Sequence, residues 1–156
     1  MRKEKVMNLI RKIPGISYNE IVRETNLSNG VVSHYLIKLL EKGEIEKEGI
    51  KRGKYFVRNI SKKDREIITV LRNKTNNEIF HLLMKYSKKD IAFTAKEIQK
   101  KVKKSGSTIS ICLKILQKNN IVERVIMHKK SKITSDLGYK IYNEKLWTTF
   151  VGKYNL

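Results

Sequence analysis

In the stretch NGVVSHYLIKLL (29–40), Val32, Leu36, Leu39 and Leu40 form an apolar stripe at helical spacing, and Asn29, Ser33, His34 and Lys38 are read as the outward polar positions. A carboxamide, a hydroxyl, an imidazole and an ammonium at such positions suit hydrogen bonding to base edges and charge contact with phosphates. A second stretch, SGSTISICLKIL (105–116), offers Ser107, Thr108, Ser110, Ile111 and Lys114 in the same way, with the Ile111 side chain suited to a thymine methyl. Each stretch is followed by a basic cluster, Lys51, Arg52 and Lys54 after the first and Lys129, Lys130 and Lys132 after the second. Compact cations of this kind match phosphate oxygens. Lys100, Lys101, Lys103 and Lys104 stand just before the second stretch as further phosphate anchors. Neither stretch supplies an arginine for the bidentate contact to guanine, so AT-rich sites or readout of duplex shape are expected.

Other chemistries find little material. His34, His81 and His128 are far apart, with no Cys or carboxylate at ligand spacing, so no metal site is expected. Glycine-rich phosphate loops and nucleophile elbows are missing from the sequence. Glu44, Glu46 and Glu48 alternate along a short extended segment and read as the exposed face of a hairpin rather than as a metal-binding carboxylate set. No catalytic residue and no cofactor is therefore expected. Cys112 is the single cysteine, which excludes an internal disulfide; its place between Ile111 and Leu113 predicts a packed thiol. No apolar run approaches the roughly 20 residues that span a bilayer, and the N-terminal stretch is too short in apolar residues for a signal peptide, so a cytoplasmic protein is expected.

The net charge is +20, from 35 Lys and Arg against 15 Asp and Glu. Residues 1–60 carry 13 basic and 7 acidic side chains (+6), and the remainder carry 22 and 8 (+14). Such an excess predicts attraction to a polyanion. An AT-rich genome or a hot habitat would account for part of the Lys enrichment.

The elements that would position these groups are written twice. Residues 17–47 match residues 94–124 at a constant offset of 77, without a gap, pairing Glu20 with Glu97, Ile21 with Ile98, Ser28 with Ser105, Ser33 with Ser110, Leu36 with Leu113, Leu39 with Leu116 and Glu46 with Glu123. Ser17-x-x-Glu20 and Thr94-x-x-Glu97 are capping boxes, and Ser28 and Ser105 start the following helices. In the first copy a helix through Val6, Leu9, Ile10 and Ile13 ends at Pro14-Gly15, helices follow at about 18–25 and 29–42, and Gly43 stops the last. A hairpin with Ile45 in one strand and Tyr55-Phe56-Val57 in the other completes the unit. A connecting helix over 61–74 starts at Ser61, and a third capping box is read at Thr75-x-x-Glu78. The second copy repeats the order with helices at about 95–104 and 107–119, Asn120 as the stop, a strand over 122–127 and its partner from Ile133. A last helix is expected from Thr134-Ser135-Asp136-Leu137-Gly138, carrying Ile141, Tyr142, Leu146, Trp147 and Phe150. The fold expected is mainly α with small β-hairpins (α+β): two tandem winged helix-turn-helix modules, 1–60 and 75–156, joined by the helix 61–74.

NLSNGVVSHYLIKLLEKGEIEKE and KKSGSTISICLKILQKNNIVER resemble the helix-turn-helix and first wing strand of MarR-like and ArsR-like regulators, and ITSDLGYKIY resembles the passage after the wing. Tandem winged helices of this size resemble archaeal transcription regulators, the euryarchaeal archaellum regulators among them. The resemblance implies double-stranded DNA as partner, with each third helix in a major groove and each wing over phosphates. The connecting helix would then set the two heads about 34 Å apart, one helical turn, or a multiple of it. It also implies a homodimer through the C-terminal helix, although two fused reading heads would equally serve a monomer. An activator would in addition touch the basal transcription machinery. A replication or plasmid initiator and a protein-interaction scaffold are the alternatives of different class; the basic wings argue against the scaffold.

Overall fold

The computed structural model describes residues 1–127 and 136–156. Lys129, Lys130 and Lys132 lie outside the described residues, as do His128 and the expected strand start at Ile133. The chain divides into two units, one of Met1–Thr69 with Lys153–Leu156, the other of Val70–Gly152. The architecture is mainly helical α+β with two small antiparallel sheets.

The first unit begins with α1 (Arg2–Lys12), whose Val6 and Ile10 face inward. Pro14 and Gly15 turn the chain; Gly15 has a φ of +79°, and a Cβ there would press on the Phe56 ring and Ile68 at 3.2–3.3 Å. Two residues, β1 (Ile16–Ser17), then pair with a later strand before α2 (Tyr18–Thr25) begins. The Ser17 hydroxyl accepts from the Glu20 N–H while the Glu20 carboxylate accepts from the Ser17 N–H, the reciprocal box read in the sequence. A left-handed residue, Asn26, ends α2, and Ser28 caps α3 (Asn29–Glu41). Strands β2 (Ile45–Glu48) and β3 (Lys54–Val57) form the hairpin, in a sheet ordered β1-β3-β2. Ile10, Ile16, Ile21, Val32, Leu39 and Ile45 fill the space between the three helices and this sheet.

The start of α4 (Lys62–Arg72) belongs to the same unit and is capped by Ser61, whose hydroxyl accepts from the Asp64 N–H. Arg65 turns back onto the hairpin. Its guanidinium donates to the Ile60 carbonyl at 2.9 Å and to Glu48 at 3.1 Å, pairs with Glu46, and lies 5.8 Å from the centre of the Phe56 ring. Burial works against the charged form, but the hydrogen bonds and charges of Glu46 and Glu48 outweigh it and the Arg65 pKa is raised. Glu46 and Glu48 are thus holders of a covered arginine and not merely the solvated hairpin face expected of them. The segment Lys153–Leu156 completes the unit: the Tyr154 hydroxyl donates to Asp64 Oδ2 at 2.5 Å.

The second unit repeats this order with α5 (Lys74–Lys85), a 3-10 turn at Ser87–Lys89, α6 (Ala95–Val102), α7 (Gly106–Lys118), β4 (Val122–Met127) and β5 (Asp136–Ile141), and adds α8 (Glu144–Tyr154) as far as Gly152. The offset of 77 holds in backbone geometry. Thr94 and Glu97 form the second capping box, Lys103 takes the left-handed conformation of Asn26, and Ser105 caps α7 as Ser28 caps α3. Helices α3 and α7 both end in a Schellman motif, with Gly43 N–H to Leu40 O and Glu44 N–H to Leu39 O in one, and Asn120 N–H to Gln117 O and Ile121 N–H to Leu116 O in the other.

Two expectations are corrected. The cap of α5 is Asn73, whose Oδ1 accepts from the Asn76 N–H at 3.1 Å; Thr75 already lies within the first turn, so the Thr75/Glu78 box does not start the helix. The segment read as the opening of the last helix is instead β5, paired with β4 from Val122↔Ile141 to Met127↔Asp136. At Gly138 a Cβ would press on the Met127 and Ala92 side chains, so the position suits close packing. The neighbouring Tyr139 exchanges two backbone bonds with Phe93, at 2.8 and 3.0 Å. The helix begins only after Asn143, whose side chain accepts from the Leu146 N–H. Within α8 Trp147 is buried and donates its indole N–H to the Asn120 carbonyl at 3.2 Å, whereas Leu146 stays half exposed.

Truncating Arg65 to Ala leaves Glu46 and Glu48 without their cation and opens space over Phe56. We expect a loss of about 2 to 3 kcal/mol in urea unfolding, below the full cost of a buried pair because both carboxylates are partly in water. Burial, and then the bond and charge of Asp64, push the Tyr154 pKa up to about 12 from the ordinary 10.0. The raised value means that the folded state keeps its proton after the unfolded chain has lost it. Tyr154 therefore contributes fully below about pH 10, and its contribution fades as pH rises toward 12. In Tyr154→Phe, stability at pH 7 should fall by about 1 to 2 kcal/mol. The difference from the parent chain should shrink in unfolding curves taken through pH 10 to 12.

Candidate nucleic-acid interface

Helix α3 is held from one side. Val32 and Leu39 are fully buried, Leu36 nearly so, and the turn before the helix is fixed by Thr25, whose hydroxyl donates to the Ile21 carbonyl at 2.7 Å and accepts from the Leu27 N–H. The opposite side carries Asn29, Gly30, His34 and Lys38 in the open and Ser33 half-buried. The His34 ring is exposed, with Tyr35 edge-on at 5.3 Å. Ile37 shares this outer side and is 55% exposed, a position not singled out from the sequence; at the offset of 77 it corresponds to Lys114, which was.

Beside α3 lies a cleft of about 660 Å³ formed with the start of α2 and the hairpin. Ser17, Tyr18 and Asn19 form one wall and Ser33 another; Lys47, Lys51, Arg52 and Lys54 come from the hairpin, and no carboxylate is among its lining residues. The hairpin tip is shaped by Gly49, with φ of +89°, and its Ile50 is 95% exposed between that glycine and the cations. Lys47 lays its stem across Gly53, where a Cβ would meet its Cε at 2.2 Å. Four cations thus surround an opening beside the polar edge of α3, in the arrangement that would accept a phosphate chain.

Tyr18 and Lys47 were not singled out from the sequence, yet both line this cleft. The Tyr18 hydroxyl lies 3.0 Å from the Asn29 carbonyl oxygen, 3.1 Å from Asn29 Oδ1 and 3.0 Å from Ser33 Oγ. Asn29 therefore has a local partner, which the sequence did not reveal, since the two residues are eleven positions apart on different helices.

Helix α7 is anchored in the same manner by Ile109, Leu113 and Leu116, with Cys112 also buried. Ser107, Ser110, Ile111 and Lys114 are exposed and Thr108 is half-buried. Ser105 is chiefly a cap: its Oγ accepts from the Thr108 N–H and lies 2.8 Å from Thr108 Oγ1 and 3.2 Å from Ser107 Oγ. The hydroxyls of Ser107 and Thr108 therefore enter a local cluster at the helix start. Lys100, Lys101, Lys103 and Lys104 are exposed before it. Among the described residues, no three His, Cys, Asp or Glu are grouped as a metal site would require, and no helix is long and apolar enough to cross a membrane.

Each unit thus has the winged-helix order, and the first presents the polar helix face and basic hairpin of a helix-turn-helix domain. Residues 1–68 match the HTH_HVO_0163_N family, described as an N-terminal HTH domain. No curated protein matches the chain. Among solved structures, a chain of the Nse1-Nse3-Nse4 complex is similar over 99% of this chain and 96% of its own length, at 12% identity and a TM-score of 0.34. The DIP2311 protein from Corynebacterium diphtheriae is similar over 90% of this chain, at 14% identity and a TM-score of 0.32. This chain spans about a quarter of that protein, 26% of its length. Likeness at this level bears on neither fold nor function.

Burial pushes the Cys112 thiol pKa above its usual value. With little thiolate and little access, Cys112 should react with an aromatic disulfide reagent at pH 8 only as the protein unfolds. Fast, stoichiometric labelling of the folded chain would contradict the packing of α7 described here.

Proposed function

We propose that the chain is a sequence-specific DNA-binding transcription regulator that acts at promoters through its two third helices and its basic hairpins. The observation that carries this reading is the cleft of the first unit, where Lys47, Lys51, Arg52 and Lys54 stand beside the polar edge of α3 in a segment that matches an HTH domain family. In this reading α3 and α7 enter major grooves. Asn29, Ser33 and His34 meet base edges in one, Ser107, Thr108, Ser110 and Ile111 in the other, and Lys38, Lys114 and the wing cations neutralise phosphates. Lys129, Lys130 and Lys132, outside the described residues, are assigned the same role with phosphates. Archaeal regulators of the MarR-like and ArsR-like kind supply the resemblance that makes a promoter the site of action. The half-exposed Leu137, Tyr142 and Leu146 are the surface on which a second copy or the basal machinery would dock.

The test is selection of bound sequences from a random double-stranded DNA pool, followed by salt titration on the selected sequence and on a scrambled control. A discrete motif bound about a thousandfold or more above the control is expected. Equal and steeply salt-dependent binding to both would make the chain a nonspecific DNA-coating protein, and an absence of binding would sink the reading. Replacing Lys51, Arg52 and Lys54 together by Gln should weaken binding to all sequences alike and flatten the log–log salt slope by about one for each phosphate no longer neutralised.

A further inference from the structure

The phenol of Tyr18 touches two of the polar residues assigned above to base edges. A phenol has one proton to give and lone pairs with which to accept. With its proton directed to the Asn29 oxygens at 3.0 and 3.1 Å, the Ser33 hydroxyl donates to it across 3.0 Å. The ring itself packs against the buried core of the first unit, so the hydroxyl is held by the fold and not by the flexible surface of α3.

We propose that Tyr18 is a positioning residue for sequence readout, holding the Asn29 carboxamide in one orientation with Oδ1 toward the phenol and Nδ2 turned away from it. The proposal rests on the DNA-binding reading given above. An exposed Asn in the first turn of a helix otherwise samples several rotamers and must lose that freedom on binding. It must also choose which end of its carboxamide meets the base. Pinned by Tyr18, it loses less and chooses in advance. Oδ1 keeps a second lone pair, so the carboxamide can still accept from adenine N6 while Nδ2 donates to N7, the pattern that distinguishes adenine in the major groove. At the offset of 77 the second unit has Ala95 for Tyr18 and Gly106 for Asn29, and of the trio only Ser110 is retained. It cannot build the same device. Base selection is thereby concentrated in the first unit.

The experiment compares the parent chain with Tyr18→Phe, Asn29→Ala and the double variant. The readout is the ratio of affinities for the pool-selected sequence and for the same sequence with one base pair changed under α3. Tyr18→Phe should lower this ratio about fivefold, the worth of one net hydrogen bond of about 1 kcal/mol. Binding to scrambled DNA and the salt slope should stay unchanged. In the Asn29→Ala background the same substitution should add nothing. Nuclear magnetic resonance on the free protein gives a second readout: the Asn29 side-chain amide should be ordered in the parent chain and motionally averaged in Tyr18→Phe. An unchanged ratio in Tyr18→Phe, an equal drop with and without Asn29, or an Asn29 amide averaged in both proteins would overturn the proposal. A parent chain that selects no sequence would overturn the proposed function instead.

Discussion

The structure depends on helices that must be buried along one side and left bare along the other. In α3 the inward positions Val32, Leu36 and Leu39 are almost wholly covered, while Asn29, His34 and Lys38 remain in the open; α7 repeats the division. A short helix with so polar an outer face has little intrinsic stability, and burial of its apolar stripe is what holds it. The surrounding elements supply that burial. The caps set where the helix starts, the Schellman closure turns the chain back at its end, and the hairpin returns beside it with cations at its tip.

The parts of this arrangement written in neighbouring residues were legible in the sequence. A capping box joins residues three apart, and the stops at Gly43 and Asn120 need only a residue that tolerates positive φ. What escaped were decisions taken at a distance. The segment DLGYKIY has residues compatible with either a helix start or a strand, and the register with β4 settles it as β5. The two residues of β1 are too few to show a period, and their strand character comes from pairing with β3. Asn73 and Thr75 both stand where a cap is wanted, and the first of them takes the role. The candidate site divides in the same manner. The outward His34 and Lys38 of α3 follow from helical period, whereas the bond between Tyr18 and Asn29 and the grip of Arg65 on Glu46 and Glu48 required the packed unit.

The two copies have kept their scaffolding and changed their outer surface. Caps, left-handed residues and buried leucines recur at the offset of 77, but Tyr18 becomes Ala95, Asn29 becomes Gly106, His34 becomes Ile111 and Ile37 becomes Lys114. Positions that decide whether a module folds are constrained by sterics and by backbone hydrogen bonds, which leave few alternatives. Positions on the outer face answer only to what they touch.

Closure of the first unit by Tyr154 has a consequence for the order in which the protein is made. Asp64 and Tyr154 are 90 residues apart in the chain. At a synthesis rate of roughly 5 to 20 residues per second, about 5 to 20 seconds separate their appearance at the ribosome. Throughout that interval the amino-terminal unit has its helices and its sheet but not its final clasp, and Asp64 stays open to water or to any other donor. The helices and sheet of this unit are thus made well before the residue that closes them, with the whole of the second unit's reading helix and hairpin synthesised in between.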